Sequence, residues 1–380
     1  MIQVFSNSLG DEELKAAKDV FAGRWVGKGK QCDAFEKEFA QHLKIPKVIL
    51  TNNCTAAIYI ALRALNIGPG DEGIISSVNF VACANALIDL GAKPVFADVH
   101  PQTLNILPEE IERLTTPRTK VVILLHYGGH PCPMDDIYDV CRDDISIMED
   151  SANAVSSSYK DKMCGTLGDA GVFSFDAMKI LVMIDGGALV IKDEEAFRRA
   201  RTMSYLGLKS QTTSGQQAMK ESRDRWWEYD LELTSGRFIS NDVLASIGRE
   251  QLKKLPTFIS RRKSIWDTYQ NELADIPGIR CPPEPLPGTS SSYYLYWLQL
   301  PRGRDELATY LAENGVYTTF RYFPLHMVNF YGGKYRLPNS EKINETTLNL
   351  PLHQNLTDSD VQKVCELVKN FSTRYYRRKQ

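Results

Sequence analysis

The chain has 380 residues, 43% of them hydrophobic and 24% charged, with a formal net charge of −2. That length buries a large core, in two domains or in one large domain with an appendage. Nothing in that near-neutral balance favours nucleic acid, which requires a basic stripe, and no apolar run approaches the roughly 18–20 residues that span a bilayer, so neither nucleic acid nor membrane is an expected partner.

The first residues, MIQVFSNSLGDEELKAA, have neither a charged lead nor a leucine-rich core, so no secretory signal is expected there. Eight cysteines lie scattered without CxxC spacing and read as reduced thiols of a cytoplasmic protein. Strand and helix signals then alternate. Residues 47–50 form a short apolar strand, followed by Thr51-Asn-Asn-Cys-Thr-Ala-Ala and a helical pattern over 56–65. Strand 72–75 leads to a helix over 81–90, strand 94–98 to a helix over 108–114, and strand 120–125 to a helix near 134–141. A strand over 145–150 ends at Asp150, and strands over 171–175 and 186–191 bracket a turn that carries Lys179. Nearly all-apolar strands spaced by helices predict an α/β/α sandwich around a mostly parallel sheet. Ligands of such sheets bind at the C-terminal strand ends, where Asn52, Phe80, His126, Asp150 and Ser174 all fall.

After about residue 195 the pattern changes. A basic amphipathic helix over 194–205 precedes a polar, aromatic stretch at 211–230 without periodicity, expected to be an irregular loop near a partner or substrate. A long helix runs from 241 past Pro256 to 271. Strands over 293–300 and 316–321, with helices over 305–314 and 358–373, complete a smaller α+β region. The expected division is a large α/β domain of residues 1–245 and a small C-terminal α+β domain of residues 246–380.

Lys179 and Asp150 carry the chemistry. A lysine on a turn between two strands, beside small residues, together with a carboxylate at a neighbouring strand end, is what pyridoxal phosphate needs. The acid keeps the pyridine nitrogen protonated so that the ring accepts electrons, and the lysine forms the Schiff base. Thr55 and Ala56 open a helix directly after a strand, where backbone N–H groups and the helix dipole favour a phosphate; alone, Thr55 also reads as a plain N-cap. Phe80 has the position of a ring that stacks on the pyridine, although an isolated phenylalanine also reads as core. Ser174 alternates with Phe173 and Phe175 and so faces away from them, toward a phosphate. Asn153, one turn after Asp150, is placed to reach the ring's 3-oxygen. His126 and His130 flank two glycines, but no carboxylate accompanies them at ligand spacing, so no metal is expected.

In this order along the chain, the sequence resembles the sugar aminotransferase family known as DegT/DnrJ/EryC1/StrS, within the fold-type I pyridoxal phosphate enzymes. The matching segments are NNCTAAIYIALRALNIGPGDEGI, NFVACANALIDLGAKPVFADV, TKVVILLHYGGHPCPMDDI, IMEDSANAVSSSYKDKMCGTLGDAGVFSFDAMK and NLPLHQNLTDSD, which span essentially the whole chain. The resemblance implies Lys179 as cofactor lysine and proton shuttle, and Asp150 under the pyridine nitrogen. It implies Phe80 in the stacking position, Asn153 beside the ring oxygen, and Thr55, Ala56 and Ser174 around the phosphate. Arg321 and His326, in Phe320-Arg-Tyr-Phe-Pro-Leu-His326, match the family's segment near the sugar nucleotide, where a guanidinium suits a diphosphate and an imidazole suits hydroxyls.

The chain departs from the family in two places. After the lysine the family reads Asn-x-Thr-Thr-Gly-Glu-Gly-Gly, whereas Ile180-Leu-Val-Met-Ile-Asp185-Gly-Gly stands here, which predicts an unusually apolar shoulder to the site. Ile239 occupies the place from which the family offers a polar side chain to the neighbouring subunit's phosphate, with Arg237 or Asn241 the candidate replacements. The function implied is a homodimeric aminotransferase with composite active sites, converting a nucleotide-linked 3-keto or 4-keto deoxysugar to the amino sugar with glutamate as donor. The same chemistry on a keto-cyclitol, and a non-catalytic regulator that keeps the cofactor, are the alternatives.

Overall fold

The computed structural model describes residues 1–209, 225, 227–332 and 336–377, so most of the stretch expected as an irregular loop over 211–230 lies outside the described residues. Two N-terminal helices, α1 (Asp11–Ala22) and α2 (Lys30–Leu43), lead into a seven-stranded sheet. Its strands are β1 (Ile49–Thr51), β2 (Glu72–Ser76), β3 (Lys93–Ala97), β4 (Thr119–Leu125) and β5 (Ser146–Asp150), joined after a small hairpin by two more. The hairpin is β6 (Ser158–Tyr159) with β7 (Lys162–Met163), and the two further strands are β8 (Ala170–Ser174) and β9 (Gly187–Ile191). The order across the sheet is β1-β9-β8-β5-β4-β2-β3. Pairings among β8, β5, β4, β2 and β3 are parallel, and β9 alone runs antiparallel to both its neighbours.

The crossovers are α3 (Cys54–Ala64), α4 (Val81–Asp89), α5 (Pro108–Leu114) and α6 (Met134–Val140), followed beyond β9 by α7 (Glu194–Ser204). Alternate strand residues separate into two cores, as a pleated sheet requires. Ile75, Ile123, Met148, Val172 and Leu189 pack with α3, α4 and α7 on one face. Ile74, Val122 and Ile147 pack on the other beside α6, and Phe173 and Val190 beside α2. The result is a three-layer α/β/α sandwich.

Helix α8 (Asp242–Leu273) runs unbroken through residues 245 and 246 and contains Pro256. It packs along α1 and α2, and Asp242 Oδ1 accepts the N–H groups of Gln31 and Cys32 at the start of α2. Beyond it lie β10 (Thr289–Ser290), which pairs with β6, and β11 (Tyr296–Gln299). Then come α9 (Arg304–Glu313), α10 (Pro338–Thr346), β12 (Thr347–Leu350), antiparallel to β11, and α11 (Asp358–Arg377). This end has its own core, which includes Trp266, Tyr269, Tyr296, Leu307, Leu348 and Val364.

Two expected strands need correction. The strand over 293–300 shortens to β11, because Tyr293 takes a left-handed φ of 51° and the N–H groups of Tyr294 and Leu295 both bond Gly128 O. No strand forms over 316–321, which contributes only single bridges from Val316 to Ile2 and from Thr319 to Asn349. There the Asn349 side chain, not a backbone carbonyl, takes the Arg321 N–H at 2.7 Å, so the ladder stops and the chain turns toward the sheet's C-terminal edge.

Candidate active site

Lys179 sits on a turn held by its own backbone. Asp176 accepts the Met178 N–H at Oδ1 (3.0 Å) and the Lys179 N–H at its carbonyl (2.9 Å), while Met183 N–H returns to Phe175 O at 2.8 Å. Ile180, Leu181, Val182 and Met183 are at most 2% exposed. The apolar substitution after the lysine therefore feeds the core, and the expected apolar shoulder is not built from it. Asp185 is the residue of that run that reaches the cavity. Lys179 Nζ donates to Asn153 Oδ1 at 3.3 Å and lies 4.9 Å over the ring of Tyr294. Burial disfavours its charged form, but Tyr294, Tyr322 and Asp150 outweigh that, and its pKa lies above the ordinary lysine value.

Asp150 ends β5 and is 5% exposed. Its Oδ1 accepts Ala152 N–H at 3.1 Å, and the Cys83 thiol approaches Oδ2 at 3.7 Å. Burial pushes its pKa up, with the Ala152 N–H and Lys179 acting the other way. A buried carboxylate of this kind gains from a cationic partner. Behind it, the neighbouring Glu149 collects the N–H groups of Gly165, Leu167 and Gly168 at 2.6–2.7 Å and the His126 Nε2–H at 2.8 Å. His126 Nδ1 accepts the Cys132 N–H at 3.0 Å, which fixes the neutral tautomer. Cys164 joins His126 and Glu149 within 4.8 Å, but both ring nitrogens and both Glu149 oxygens are already committed to protein hydrogen bonds. This cluster braces the strand that presents Asp150.

The start of α3 faces the same cavity. Its N-cap is Asn53, whose Oδ1 takes the Ala56 N–H at 2.8 Å, so Thr55 is not the cap. Thr55 is left exposed, and Ala56 is buried in the cavity wall. Gly187 makes this approach possible: a Cβ there would lie 2.5 Å from the Asn53 carbonyl group. Ser174 lines the cavity while Phe173 and Phe175 are fully buried on the other side.

Asn241, one of the two candidates for the neighbouring subunit's phosphate, accepts Leu244 N–H as the N-cap of α8 and does not line its own chain's cavity. Ile239 is bridged to Thr51 on β1. Arg237, in contrast, lines the cavity.

The cavity holds about 1000 Å³. Phe80 opens α4 with its ring 56% exposed and 5.9 Å from that of Tyr322. Arg321 reaches the cavity too, its guanidinium 4.5 Å over Phe5. Its carbonyl takes the Tyr127 hydroxyl, which ties the 320s segment to the large sheet. His326 is placed differently from the sequence expectation: it is 5% exposed, bonds Ser77 Oγ through Nδ1 at 2.6 Å and does not line the cavity. Together with the 2.8 Å bond from Leu325 N–H to Ser77 O, it anchors the 320s segment under Phe80. Sequence reasoning missed Tyr294 and Tyr322. Tyr294 lay hidden in the strand-like run Tyr293-Tyr-Leu-Tyr-Trp, and Tyr322 beside the basic residue that drew attention.

A pyridoxal phosphate group fits these residues. Asn52 Oδ1, Asn79 Nδ2 and the Tyr294 hydroxyl are buried in the cavity wall without a hydrogen-bond partner; Asn153, which is not part of that wall and meets it only through its bond with Lys179, has an unpartnered Nδ2 as well. Buried polar atoms cost roughly 1–3 kcal/mol when unsatisfied, so they mark where a polar ligand would be received. A free aromatic face, a buried acid and a helix N-terminus surround the same lysine.

The family model described as the DegT/DnrJ/EryC1/StrS aminotransferase family matches residues 7–369. The chain is 45% identical over 370 residues to the dTDP-4-dehydro-2,3,6-trideoxy-D-glucose 4-aminotransferase of Saccharopolyspora spinosa, covering 96% of this chain and 95% of that protein. Among solved structures, the aminotransferase TlmJ from Streptoalloteichus hindustanus superposes with a TM-score of 0.92 at 45% identity, covering 97% of this chain and 98% of that one. Spr1654 from Streptococcus pneumoniae, in its PMP-form, gives a TM-score of 0.92 at 27% identity, covering 98% of this chain and 100% of that one.

Proposed function

The chain belongs to the DegT/DnrJ/EryC1/StrS aminotransferase family, and from that premise we propose that it uses pyridoxal phosphate to aminate C4 of a nucleotide-linked keto-deoxysugar, with glutamate as donor. The observation that carries the reading is the convergence of Lys179, Asp150, Phe80 and the α3 N-terminus on one cavity. When bound, the cofactor supplies an electrophilic carbon for amines and a ring that accepts an electron pair from the adjacent carbon.

In this reading the chain's own residues do the following. Asp150, ionised, holds a proton on the ring nitrogen. Phe80 covers one ring face, and Asn153 hydrogen-bonds the ring oxygen. Ser174, Thr55 and the first N–H groups of α3 receive the phosphate, with Arg237 as its cation. Lys179 would hold the cofactor covalently in the resting protein, and its Nζ would be free once the donor is bound. Its neutral ε-amine then takes the α-proton of the donor, and in the second half-reaction its ammonium gives a proton to the sugar carbon that gains nitrogen. Arg321 is the remaining cationic side chain of the wall among the described residues and faces the anionic parts of both substrates.

Arg237 and Asn241 separate cleanly by experiment. Arg237→Gln is expected to weaken cofactor affinity about tenfold, the scale of one charge-assisted hydrogen bond. Asn241→Ala should cost about 1 kcal/mol of stability through the lost cap and leave affinity unchanged. Titration of each apo-protein with the cofactor, beside its thermal midpoint, measures both; the reverse pattern removes Arg237 from the role.

The substrate class follows from the wall and from likeness. Phe80, Val81, Met178, Phe320, Phe323 and Val328 give the cavity wall much apolar surface, which suits a sugar ring stripped of hydroxyls. The S. spinosa relative is named for such a 2,3,6-trideoxy sugar. Loading the enzyme with pyridoxamine phosphate and mixing it with dTDP-linked 4-keto sugars tests this. The expected result is at least about a tenfold preference in kcat/KM for the 2,3,6-trideoxy over the 6-deoxy sugar, as one buried hydroxyl mismatch provides. Equal turnover removes the apolar wall as selector, and amination of a free keto-cyclitol in preference to both favours that alternative.

A second copy of the chain is part of the proposal. Phe80, Met178 and Phe323 stay 39–56% exposed on the cavity wall, and Ile184 is 52% exposed beside it; a partner would cover them and close the site. The division into lobes of residues 1–245 and 246–380, with α8 as shared spine, is proposed on the same footing. No helix among the described residues is long and apolar enough to cross a membrane.

A further inference from the structure

Tyr294 comes from the C-terminal region yet lies against the lysine of the large sheet. We infer that it is a positioning residue for proton transfer: the face of its ring seats the Lys179 ammonium whenever that amine is not bonded to the cofactor. The inference rests on the reading of Lys179 as the proton shuttle and adds a residue through which that shuttle is held.

The geometry is direct. Lys179 Nζ lies 4.9 Å from the ring centroid, inside the range of about 6 Å over which a ring quadrupole attracts a cation. Tyr294 is 1% exposed, so water does not compete for that face. The hydroxyl is buried without a hydrogen-bond partner, so it does not orient the ring. Other groups do. Phe5 stacks on the ring at 5.6 Å, and the Tyr294 N–H bonds Gly128 O at 2.9 Å. From α8, Arg262 donates one Nη1 to the carbonyls of Leu352 (2.9 Å), Tyr293 (3.2 Å) and Tyr294 (3.4 Å). Arg262 is itself 1% exposed, and burial lowers its pKa to about 10. A guanidinium that makes no carboxylate contact among the described residues is thus buried to fix the backbone that carries this ring.

The ring distinguishes the two forms of the lysine. It attracts the ammonium and is nearly indifferent to the neutral amine. Each time a proton moves onto Nζ from a substrate carbon, the product of that step is the form the ring holds. The seat also keeps Nζ beside Asn153 Oδ1, 3.3 Å away, instead of letting it collapse onto Asp150. The other titratable or charged groups facing this amine are Asp150, Cys54 and Tyr322, with Asp176, Asp185, Arg237 and Arg321 further along the wall. None of them changes when only the electron density of ring 294 is altered.

The test uses that property. Tyr294 is replaced by phenylalanine and by phenylalanines carrying one, two and three ring fluorines, which preserve shape and progressively weaken the quadrupole. In cofactor-free full-length protein labelled with 13Cε-lysine, the Lys179 resonance, assigned by its loss in Lys179→Ala, is titrated by NMR. Tyr294→Phe is expected to titrate like the parent, and the fluorinated series to fall stepwise by about one pH unit in all, a tenfold loss of proton affinity. In the loaded enzyme kcat should decline in the same order while KM stays constant. A titration that is flat across the series overturns the inference, as does a loss already complete in Tyr294→Phe, which would assign the effect to the hydroxyl. The underlying reading fails separately, if Lys179→Ala keeps a covalently bound cofactor.

Discussion

Replacing Lys179 with alanine is expected to lower amine transfer by on the order of 10⁴-fold or more, because in the proposed reading one side chain serves as both covalent anchor and acid–base catalyst. The turn that carries it should survive. Its bonds are made by the backbone of Asp176, Met178, Lys179 and Met183 and by the Asp176 carboxylate, and the following residues are locked in the core. The variant should therefore fold, keep its thermal midpoint within a few degrees, and bind pyridoxal phosphate reversibly without the visible absorbance of the lysine-bound form. Dialysis should strip the cofactor, and borohydride should fail to fix it. A variant that retains that absorbance, or turns over within tenfold of the parent, would remove Lys179 from both roles.

Asp150→Asn is the second large effect, expected at about 10²–10³-fold in kcat, the scale of losing one preorganised electrostatic partner. The change is isosteric. An amide oxygen can still accept the Ala152 N–H, and the Glu149 brace behind the strand is untouched. In the proposed reading what changes is the field at the ring nitrogen, since an amide would not stabilise a proton there as a carboxylate does. Burial raises the Asp150 pKa, and a carboxylate so desolvated would gain from the attraction of a pyridinium partner. Cofactor affinity should fall only modestly, because the phosphate and the lysine contribute independently of Asp150. Stopped-flow half-reactions with glutamate read the slow step directly; a rate within threefold of the parent would sink the assignment.

Much of the sandwich was legible because strand patterns are local. Residues 72–75 and 120–125 were expected as strands and lie in β2 and β4, the expected strand 94–98 overlaps β3 up to Ala97, and the helix over 108–114 falls on α5. Each is an apolar run bounded by polar or helix-capping residues, and its burial on two faces leaves little alternative. The stretches 293–300 and 316–321 were not legible. Their ladders are cut by a left-handed Tyr293 and by the Asn349 side chain, both consequences of docking against Gly128 and β12. His326 and Asn241 are polar residues near motifs, and the sequence carries no label of the direction in which such side chains point. One bonds Ser77, from an element some 250 residues earlier in the chain, and the other caps its own helix.

The sequence by itself carried the family and the layer order, through an acid at a strand end, a lysine on the turn between two later strands and a helix start after the first strand. Such features are encoded within a few residues, where alternation and capping leave a readable mark. Only the tertiary structure decided that Arg237 and not Asn241 reaches the cavity, that the run after Lys179 is core, and that Tyr294 comes back to face the lysine. Those outcomes depend on how the C-terminal region packs on the sheet, through contacts between residues far apart in the chain. No local periodicity records them, because side-chain packing across such distances is settled by shape and burial once the elements have met.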